Sequence, residues 1–474
     1  MKFYDREQEI NTIHEWIRLS EKRLQVGVIY GRRRVGKTRL INEAVRGHPF
    51  LYCFVERKPL SDLLSDFQEG LSAITDLFSG VTLESLIAFL NLLERLAERQ
   101  PLVVVFDEFQ NFRYIDPSVF STFQKWIDAN QDRTGLTIIF IGSMFSLMKK
   151  IFTEYKEPLY GRMTGQILLK PLTPIVEAEI LSDLDLFTPA NWLRFHVLFG
   201  GVPRYYALLA DRAENLSSPL EAIRELIVSP FAVLKDEGKA LLMEEFGKKN
   251  MVYFSILQAI RRGNTKRSHN ANATGLNYNR LGPYLDDLEK HYELIERRTP
   301  IFSKKETSKN SNYRLYDPFT RFWFRYLFKY GRYLEIEAYD TLLSIIEKDL
   351  PALEGIAFEN MIRELLCILN RVGKWDFPFE DIGGYWDRKN REIDIVVLNE
   401  TKHTILFAEC KLNARRVNQA LMNNLKINSE AILRKRKDLN PIYGAFVVNE
   451  DDFQYEIDEK VWSLEKLLLI ATEH

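Results

Sequence analysis

Two groups of residues have types and spacings that do chemistry. The first is Gly31-Arg32-Arg33-Arg34-Val35-Gly36-Lys37-Thr38, which fits G-x-x-x-x-G-K-[ST]. Glycines at both ends let the backbone curl, so that successive N–H groups converge on phosphate oxygens. A helix N-terminus directly behind the loop adds positive potential. Lys37 would place a point charge between the β- and γ-phosphates, and the Thr38 hydroxyl is the expected Mg²⁺ ligand. With Arg39, these residues form the predicted cradle for a nucleoside triphosphate, with ATP and Mg²⁺ as its expected ligands. Such a loop needs a strand before it and a helix after it. Val26, Val28, Ile29 and Tyr30 supply the strand character, and Leu40, Ile41, Ala44 and Val45 the helical spacing. A chance glycine-rich turn would carry neither flank.

A phosphate cradle hydrolyses nothing unless carboxylates stand near it. Pro101 to Phe106 is a continuous apolar run ending in Asp107-Glu108, the pattern of a parallel strand covered on both faces. Asp107 can hold Mg²⁺, directly or through water, and Glu108 can polarise the attacking water. The plainer alternative is a pair of solvated loop acids; the upstream loop favours the catalytic roles. Arg162, alone in Pro158-Leu-Tyr-Gly-Arg-Met-Thr-Gly, is a candidate finger on the transferred phosphate, in cis or in trans, against the commoner solvated loop arginine.

The second group lies in the last 130 or so residues. Glu359 sits in an amphipathic helical pattern. Asp394 enters a strand (Arg391-Glu-Ile-Asp-Ile-Val-Val-Leu), and Glu409 and Lys411 close another (Ile405-Leu-Phe-Ala-Glu-Cys-Lys). Side chains alternate along a strand, so Glu409 and Lys411 share a face. Asp394 and Glu409 can hold Mg²⁺, Glu359 can complete that site, and Lys411 can position or activate a water. This order, Glu…Asp…Glu-x-Lys on helix–strand–strand, is the PD-(D/E)xK nuclease pattern. Glu-x-Lys alone is common by chance, and the residues by themselves do not establish cleavage.

The elements that must position these groups are legible in outline. At 474 residues, about three domains are expected. With 46% hydrophobic and 28% charged residues, the composition is that of a globular chain with ample apolar material. The net charge of −1 excludes general attraction to nucleic acid, so any such surface must be local. One is visible: residues 248–314 carry fourteen Lys/Arg against six Asp/Glu. There, helices at 250–262 and 277–291, joined by a Gly/Asn-rich connection, precede two strands around 293–298 and 313–317. That reads as helix–turn–helix plus wing. Arg261, Arg262, Lys266, Arg267, Arg280, Arg297, Arg298, Lys304 and Lys305 are candidates for DNA phosphate contact. A solvated basic face on an interdomain module is the rival reading. The aromatic stretch from Pro318 to Phe328 is expected to be buried packing. Cys53, Cys367 and Cys410 lack paired spacing and are expected to be free thiols in a reducing compartment. No apolar leader and no run of about 20 apolar residues is present, so a cytoplasmic protein with no membrane partner is expected.

These residues together resemble one family: prokaryotic, especially archaeal, AAA+ (STAND-related) ATPases with a C-terminal restriction-endonuclease-like domain. The resemblance rests on Phe3–Glu7, the loop at 31–38, Phe106-Asp107-Glu108, Ile141-Gly142-Ser143, Gly200-Gly201-Val202-Pro203-Arg204, the aromatic run at 313–324, and Asp394 with Glu409-Cys410-Lys411. It implies an α/β P-loop core at 1–174 with an AAA+-like parallel sheet, a helical lid at 175–239, a winged helix at 240–316, a connector at 317–345 and a PD-(D/E)xK domain at 346–474. It implies that Ser143 is a γ-phosphate sensor and that Pro203 lies against the nucleotide base. The function it implies is ATP hydrolysis coupled to action on DNA. The alternative is a STAND-like switch that forms a homo-oligomer and uses its C-terminal domain for binding without cleavage.

Overall fold

The computed structural model describes residues 1–74, 83–246, 250–303, 311–450 and 458–473. The chain divides into two compact units, Lys2–Pro171 and the residues from Leu172 onward.

The N-terminal unit is built on a parallel five-stranded sheet, β1 (Gln25–Tyr30), β2 (Phe50–Phe54), β3 (Leu102–Asp107), β4 (Leu136–Gly142) and β5 (Gly165–Leu168), in the order β2-β3-β4-β1-β5. The three central strands, β3, β4 and β1, are buried along their whole length, as apolar runs without alternation require. Alternation still operates within them, because it divides the core in two. Val104, Phe106, Ile138 and Phe140 join one cluster, and Val103, Val105, Ile139 and Ile141 join the other across the sheet. The first cluster is knit by phenylalanines, with the Phe109 and Phe140 rings 4.1 Å apart and Phe106 edge-on to Phe123 at 5.3 Å.

The lead-in helix Glu7–Leu19 is fixed to this sheet by one tryptophan. Gly27 on β1 and Gly165 on β5 are cross-strand partners, and a Cβ on either would come within 2.3 Å of the Trp16 ring. The indole thus lies where two side chains are missing. Gly27→Ala should therefore destabilise the N-terminal unit by about 1–3 kcal/mol through overpacking, read as a shift in the denaturant midpoint. An unchanged midpoint would mean that the ring moves aside freely.

In the C-terminal unit, helices Pro174–Asp183, Pro189–Phe199, Pro203–Ala210 and Glu237–Phe246 come first. Three more follow, Asn250–Arg261, Arg267–Thr274 and Tyr278–Asp286, and then the hairpin of β6 (Ile295–Arg298) and β7 (Asn312–Leu315). The middle helix of these three corrects the expected Gly/Asn-rich connection. Arg-Ser-His-Asn-Ala-Asn-Ala-Thr is a weak helix former, yet Asn270 and Ala271 are buried, the Asn270 amide donates to the Ile256 carbonyl at 3.2 Å, and Gly275 at φ 69° ends the helix. Tertiary packing overrides propensity there. In the aromatic run, Phe319, Phe322, Trp323, Phe324 and Tyr326 are buried. The helix Tyr339–Arg371 runs straight through the boundary expected at 345 and carries Pro351 inside it, so connector and C-terminal domain share one continuous element.

The last layer is a mixed sheet of β8 (Asp381–Trp386), β9 (Glu392–Asn399), β10 (Thr404–Lys411), β11 (Asn440–Val447) and β12 (Lys460–Ser463), in the order β12-β11-β10-β9-β8. β8, β9 and β10 pair antiparallel, and β10, β11 and β12 pair parallel. Helix Gln419–Leu433 supplies Met422 and Leu425 to its core. Cys53 is buried, Cys367 and Cys410 are partly exposed, and all three are free. No helix among the described residues is long and apolar enough to cross a membrane.

Candidate functional site

The loop after β1 closes over a lysine. Lys37 is 7% exposed, and its ammonium donates to the carbonyls of Gly31 (2.8 Å) and Arg32 (2.9 Å). Gly36 caps the following helix, Lys37–Ala44, at φ 93°, a left-handed conformation that glycine adopts without strain. Gly31 has a second reason to lack a side chain: a Cβ there would lie 2.3 Å from the Leu169 carbonyl oxygen. Val35 is buried in the core and anchors the loop, so its contribution to a nucleotide would be through the backbone. Arg34 is itself left-handed at φ 69°, and the Arg39 guanidinium lies 5.7 Å over the Phe3 ring. The Arg6 guanidinium, nearly buried, donates to the Lys170 carbonyl at 2.6 Å and ties the lead-in to the end of the sheet.

Because β4 lies between β1 and β3, residues after these three strands converge at one sheet edge. The Thr38 hydroxyl donates to Asp107 Oδ2 at 3.1 Å, and the Glu108 N–H donates to Asp107 Oδ1 at 2.7 Å. Glu108 takes left-handed backbone angles (φ 55°, ψ 35°), uncommon for a non-glycine residue. Its Oε2 accepts from the Ser143 hydroxyl at 2.8 Å and from the amide of fully buried Gln110. Lys37, Thr38, Asp107, Glu108 and Ser143 thus gather at the C-terminal edge of the central strands. The hydroxyl–carboxylate pair Thr38–Asp107 has the donor chemistry that Mg²⁺ takes.

Arg162 is engaged elsewhere. Its guanidinium grips Asp128 at 2.9 and 3.0 Å and donates to the Tyr160 carbonyl at 2.9 Å, so it does not join Asp107 and Glu108. Pro203 opens helix Pro203–Ala210 at its first turn, where its missing N–H costs nothing. The glycines before it have a packing role within their own unit: Gly201, at φ 73°, would place a Cβ 2.1 Å from the Leu172 carbonyl oxygen.

Sequence reasoning missed Tyr52 and Gln110. The Tyr52 hydroxyl donates to the same Asp107 oxygen as Thr38. Burial first, then Asp107, pushes the phenol far above its ordinary value, so it remains a donor. Only the β2–β3 register, which sets Phe54 against Asp107, could have pointed to Tyr52. Mg²⁺ must compete with these donors, so Tyr52→Phe should lower the Mg²⁺ concentration for half-maximal ATP turnover by a few fold. A rise instead would make Tyr52 the residue that orients Asp107.

The second group forms a centre at the start of β9 and the end of β10, which the antiparallel pairing brings together. Lys411 donates to Glu409 Oε2 at 2.6 Å and to Asp394 Oδ2 at 3.4 Å, and the Cys410 N–H also donates to Asp394 at 2.9 Å. Burial and the charge of Asp394 push Glu409 up to about 7 against the pull of Lys411. Burial alone would lower Lys411, but the two carboxylates outweigh it and hold its ammonium above the usual range. Two crowded carboxylates on one edge fit a divalent cation. Glu359 corrects the expectation of a third ligand. Its Oε2 faces Arg363 at 3.2 Å, Arg298 at 3.5 Å and Arg314 at 3.9 Å, and burial, then Asp394, raise its carboxyl. Among the described residues, no group of three His, Cys, Asp or Glu is placed to hold a metal ion.

The basic residues expected on a DNA surface divide. Arg262, Lys266 and Arg280 are exposed. Arg267 donates to the Tyr278 carbonyl at 2.8 Å and packs 4.3 Å over its ring. Arg261 and Arg297 are half-buried, and Arg298 is buried. Lys304 and Lys305 lie outside the described residues.

Comparison with known proteins agrees with the first site. Residues 3–184 match a family described as an ATPase domain predominantly from Archaea. Residues 323–422 match DUF234, described as archaeal and bacterial proteins of unknown function. A Methanocaldococcus jannaschii relative named "Uncharacterized protein MJECL04" is 31% identical over 413 residues, 86% of this chain and 87% of that one. The Walker-type ATPase PABY2304 of Pyrococcus abyssi superposes with a TM-score of 0.53 at 21% identity, over 68% of this chain and 96% of its own. The Aeropyrum pernix ORC2 protein, in ADPNP and ADP complexes, gives 0.48 at 16% identity, over 73% of this chain and 96% of its own. The chain belongs to the family of the Methanocaldococcus protein, and its N-terminal unit is an archaeal-type P-loop ATPase domain.

Proposed function

We propose that this ATPase acts on DNA, with nucleotide state governing a winged-helix module (240–316) and a Mg²⁺-dependent nuclease-like centre in the C-terminal unit. The observation that carries the reading is the grouping of Asp394, Glu409 and Lys411 on two paired strands, with basic residues of the β6–β7 hairpin lining the adjoining cleft.

In the ATPase unit, Lys37 exchanges its loop carbonyls for phosphate oxygens, Thr38 and Asp107 would hold Mg²⁺, and Glu108, kept in place by Ser143 and Gln110, orients the attacking water. Mg²⁺ there supplies charge neutralisation on the phosphates. In the C-terminal unit, Asp394 and Glu409 would hold the cation, and Lys411 positions a water. That water's oxygen bonds to the scissile phosphorus as the P–O3′ bond breaks, and a proton given up by the attacking water passes through solvent to the leaving 3′ oxygen.

The test is supercoiled plasmid incubated with full-length protein and Mg²⁺, with and without ATP. Nicking or linearisation supports the nuclease, and a change with ATP supports gating. Plasmid intact in every condition, with a nucleotide-dependent change in oligomeric state, would replace this reading with the STAND-like switch.

A further inference from the structure

The hairpin β6–β7 presents one polar face. Strand alternation and its register, Glu296 opposite Arg314 and Arg298 opposite Asn312, put these four residues on the same side. Arg298, Asn312 and Arg314 line a cleft of about 290 Å³, together with Lys266, Glu359 and Asp394. Arg298 is only 9% exposed, and its buried Nη1 has no hydrogen-bond partner; Arg314 Nη1 and Arg363 Nε likewise have none. Three guanidinium groups converge on one carboxylate oxygen, Glu359 Oε2, and Arg363, at 3.2 Å, hydrogen-bonds to it while Arg298 and Arg314 stand off at 3.5 and 3.9 Å. Burial, then neighbouring Arg363 and Arg314, push the Arg298 guanidinium down to about 10. A cluster of like charges, with Arg298 buried, Arg314 and Arg363 half-buried and donors unused, is short of an anion.

We propose that Arg298 and Arg314, backed by Arg363, form an oxyanion site for a DNA backbone phosphate beside Asp394 and Lys411, occupied in the resting protein by Glu359. This rests on the C-terminal centre acting on DNA. Guanidinium forks match phosphate oxygens in pairs, whereas a single carboxylate oxygen satisfies one of the three groups. The phosphate displaces Glu359, and the strand it belongs to is then held beside the Asp394–Lys411 edge. The wing thereby becomes part of the C-terminal centre rather than a separate reading head.

Binding separates the site from the chemistry. Full-length protein is titrated into a short fluorescein-labelled duplex in EDTA over a salt series, and anisotropy is read. Arg314→Gln should weaken binding and reduce the slope of log affinity against log salt by about one. Glu359→Gln should do the opposite, tightening binding about two- to fivefold by removing the internal competitor. ATP turnover and thermal midpoint report folding, and Arg314→Lys, which keeps the charge, should restore most of the slope. Unchanged affinity and slope in Arg314→Gln would overturn the site. So would Glu359→Gln weakening binding, which would make Glu359 a structural counter-ion. Inorganic phosphate or AMP binding at the arginines without displacing duplex would overturn DNA as the occupant. A wild type that nicks plasmid while Arg314→Gln binds normally sinks this site and leaves the nuclease standing. A lost slope with no nicking under any condition leaves the site and sinks the nuclease.

Discussion

Glu108→Gln should lower ATP turnover by about 10²–10⁴-fold while leaving ATP binding in place. The two effects should separate because the residues proposed to bind the phosphates and the residue proposed to orient the water make different contacts. Lys37 and Thr38 belong to the loop and its helix, and Thr38 answers to Asp107. Glu108 is turned away from that pair by its left-handed backbone and is fixed by Ser143 and Gln110. A non-glycine residue at φ 55° costs on the order of 1 kcal/mol or more, and such strain persists where the surroundings over-determine it. Here one end is tied by the Asp107 side chain to the Glu108 N–H, and the other by two donors on Oε2. Glutamine keeps the size of the side chain and loses the negative charge that polarises water. Phosphate release measured beside binding of a fluorescent ATP analogue checks this. Undiminished turnover would remove Glu108 from the chemistry, and lost binding would make its role structural.

What could be read from sequence follows from how local each signal is. The phosphate loop is contiguous, so its eight residues carry their own geometry, and the apolar runs at 26–30, 102–106 and 136–142 identify central strands because no charged residue interrupts them. Glu409 and Lys411 could be placed on one face because a single strand holds both. Tyr52, Gln110 and the arginines around Glu359 were not legible, since each acquires its role from a register or a crossing that links distant segments. Arg298 and Glu359 are 61 positions apart, and only the fold sets them 3.5 Å from each other. The sequence suggests Glu359 as a ligand, because a carboxylate on a helix near Asp394 is chemically suited to one. Three guanidiniums in the structure have a stronger claim on it. The helix at Arg267–Thr274 was hidden for the opposite reason: its composition argues for a loop, and buried Asn270 and Ala271 decide otherwise.

Lys411→Ala should reduce any Mg²⁺-dependent nicking of plasmid by about 10²–10³-fold, and it should leave ATP turnover unchanged. Lys411 is the one ammonium within reach of both Asp394 and Glu409 among the described residues. Removing it leaves two carboxylates crowded at a partly buried edge, where Glu409 already sits at about 7. Loss of one partner from a buried ionic group costs 3–5 kcal/mol when fully enclosed. With the Lys411 side chain 23% exposed, about 1–3 kcal/mol is the expected loss of stability. Mg²⁺ then makes a prediction of its own. If the two carboxylates hold the cation, added Mg²⁺ should raise the thermal midpoint of Lys411→Ala more than that of the wild type, because in the variant it is the only counter-charge available to them. An equal response would mean that the cation does not bind there, whatever happens to nicking. Lys411→Arg separates charge from position: it keeps the cation and the stability, but its planar fork cannot place a water where an ammonium does. Stability restored with nicking still absent would assign Lys411 to positioning the water, and recovery of both would reduce its role to neutralising Asp394 and Glu409.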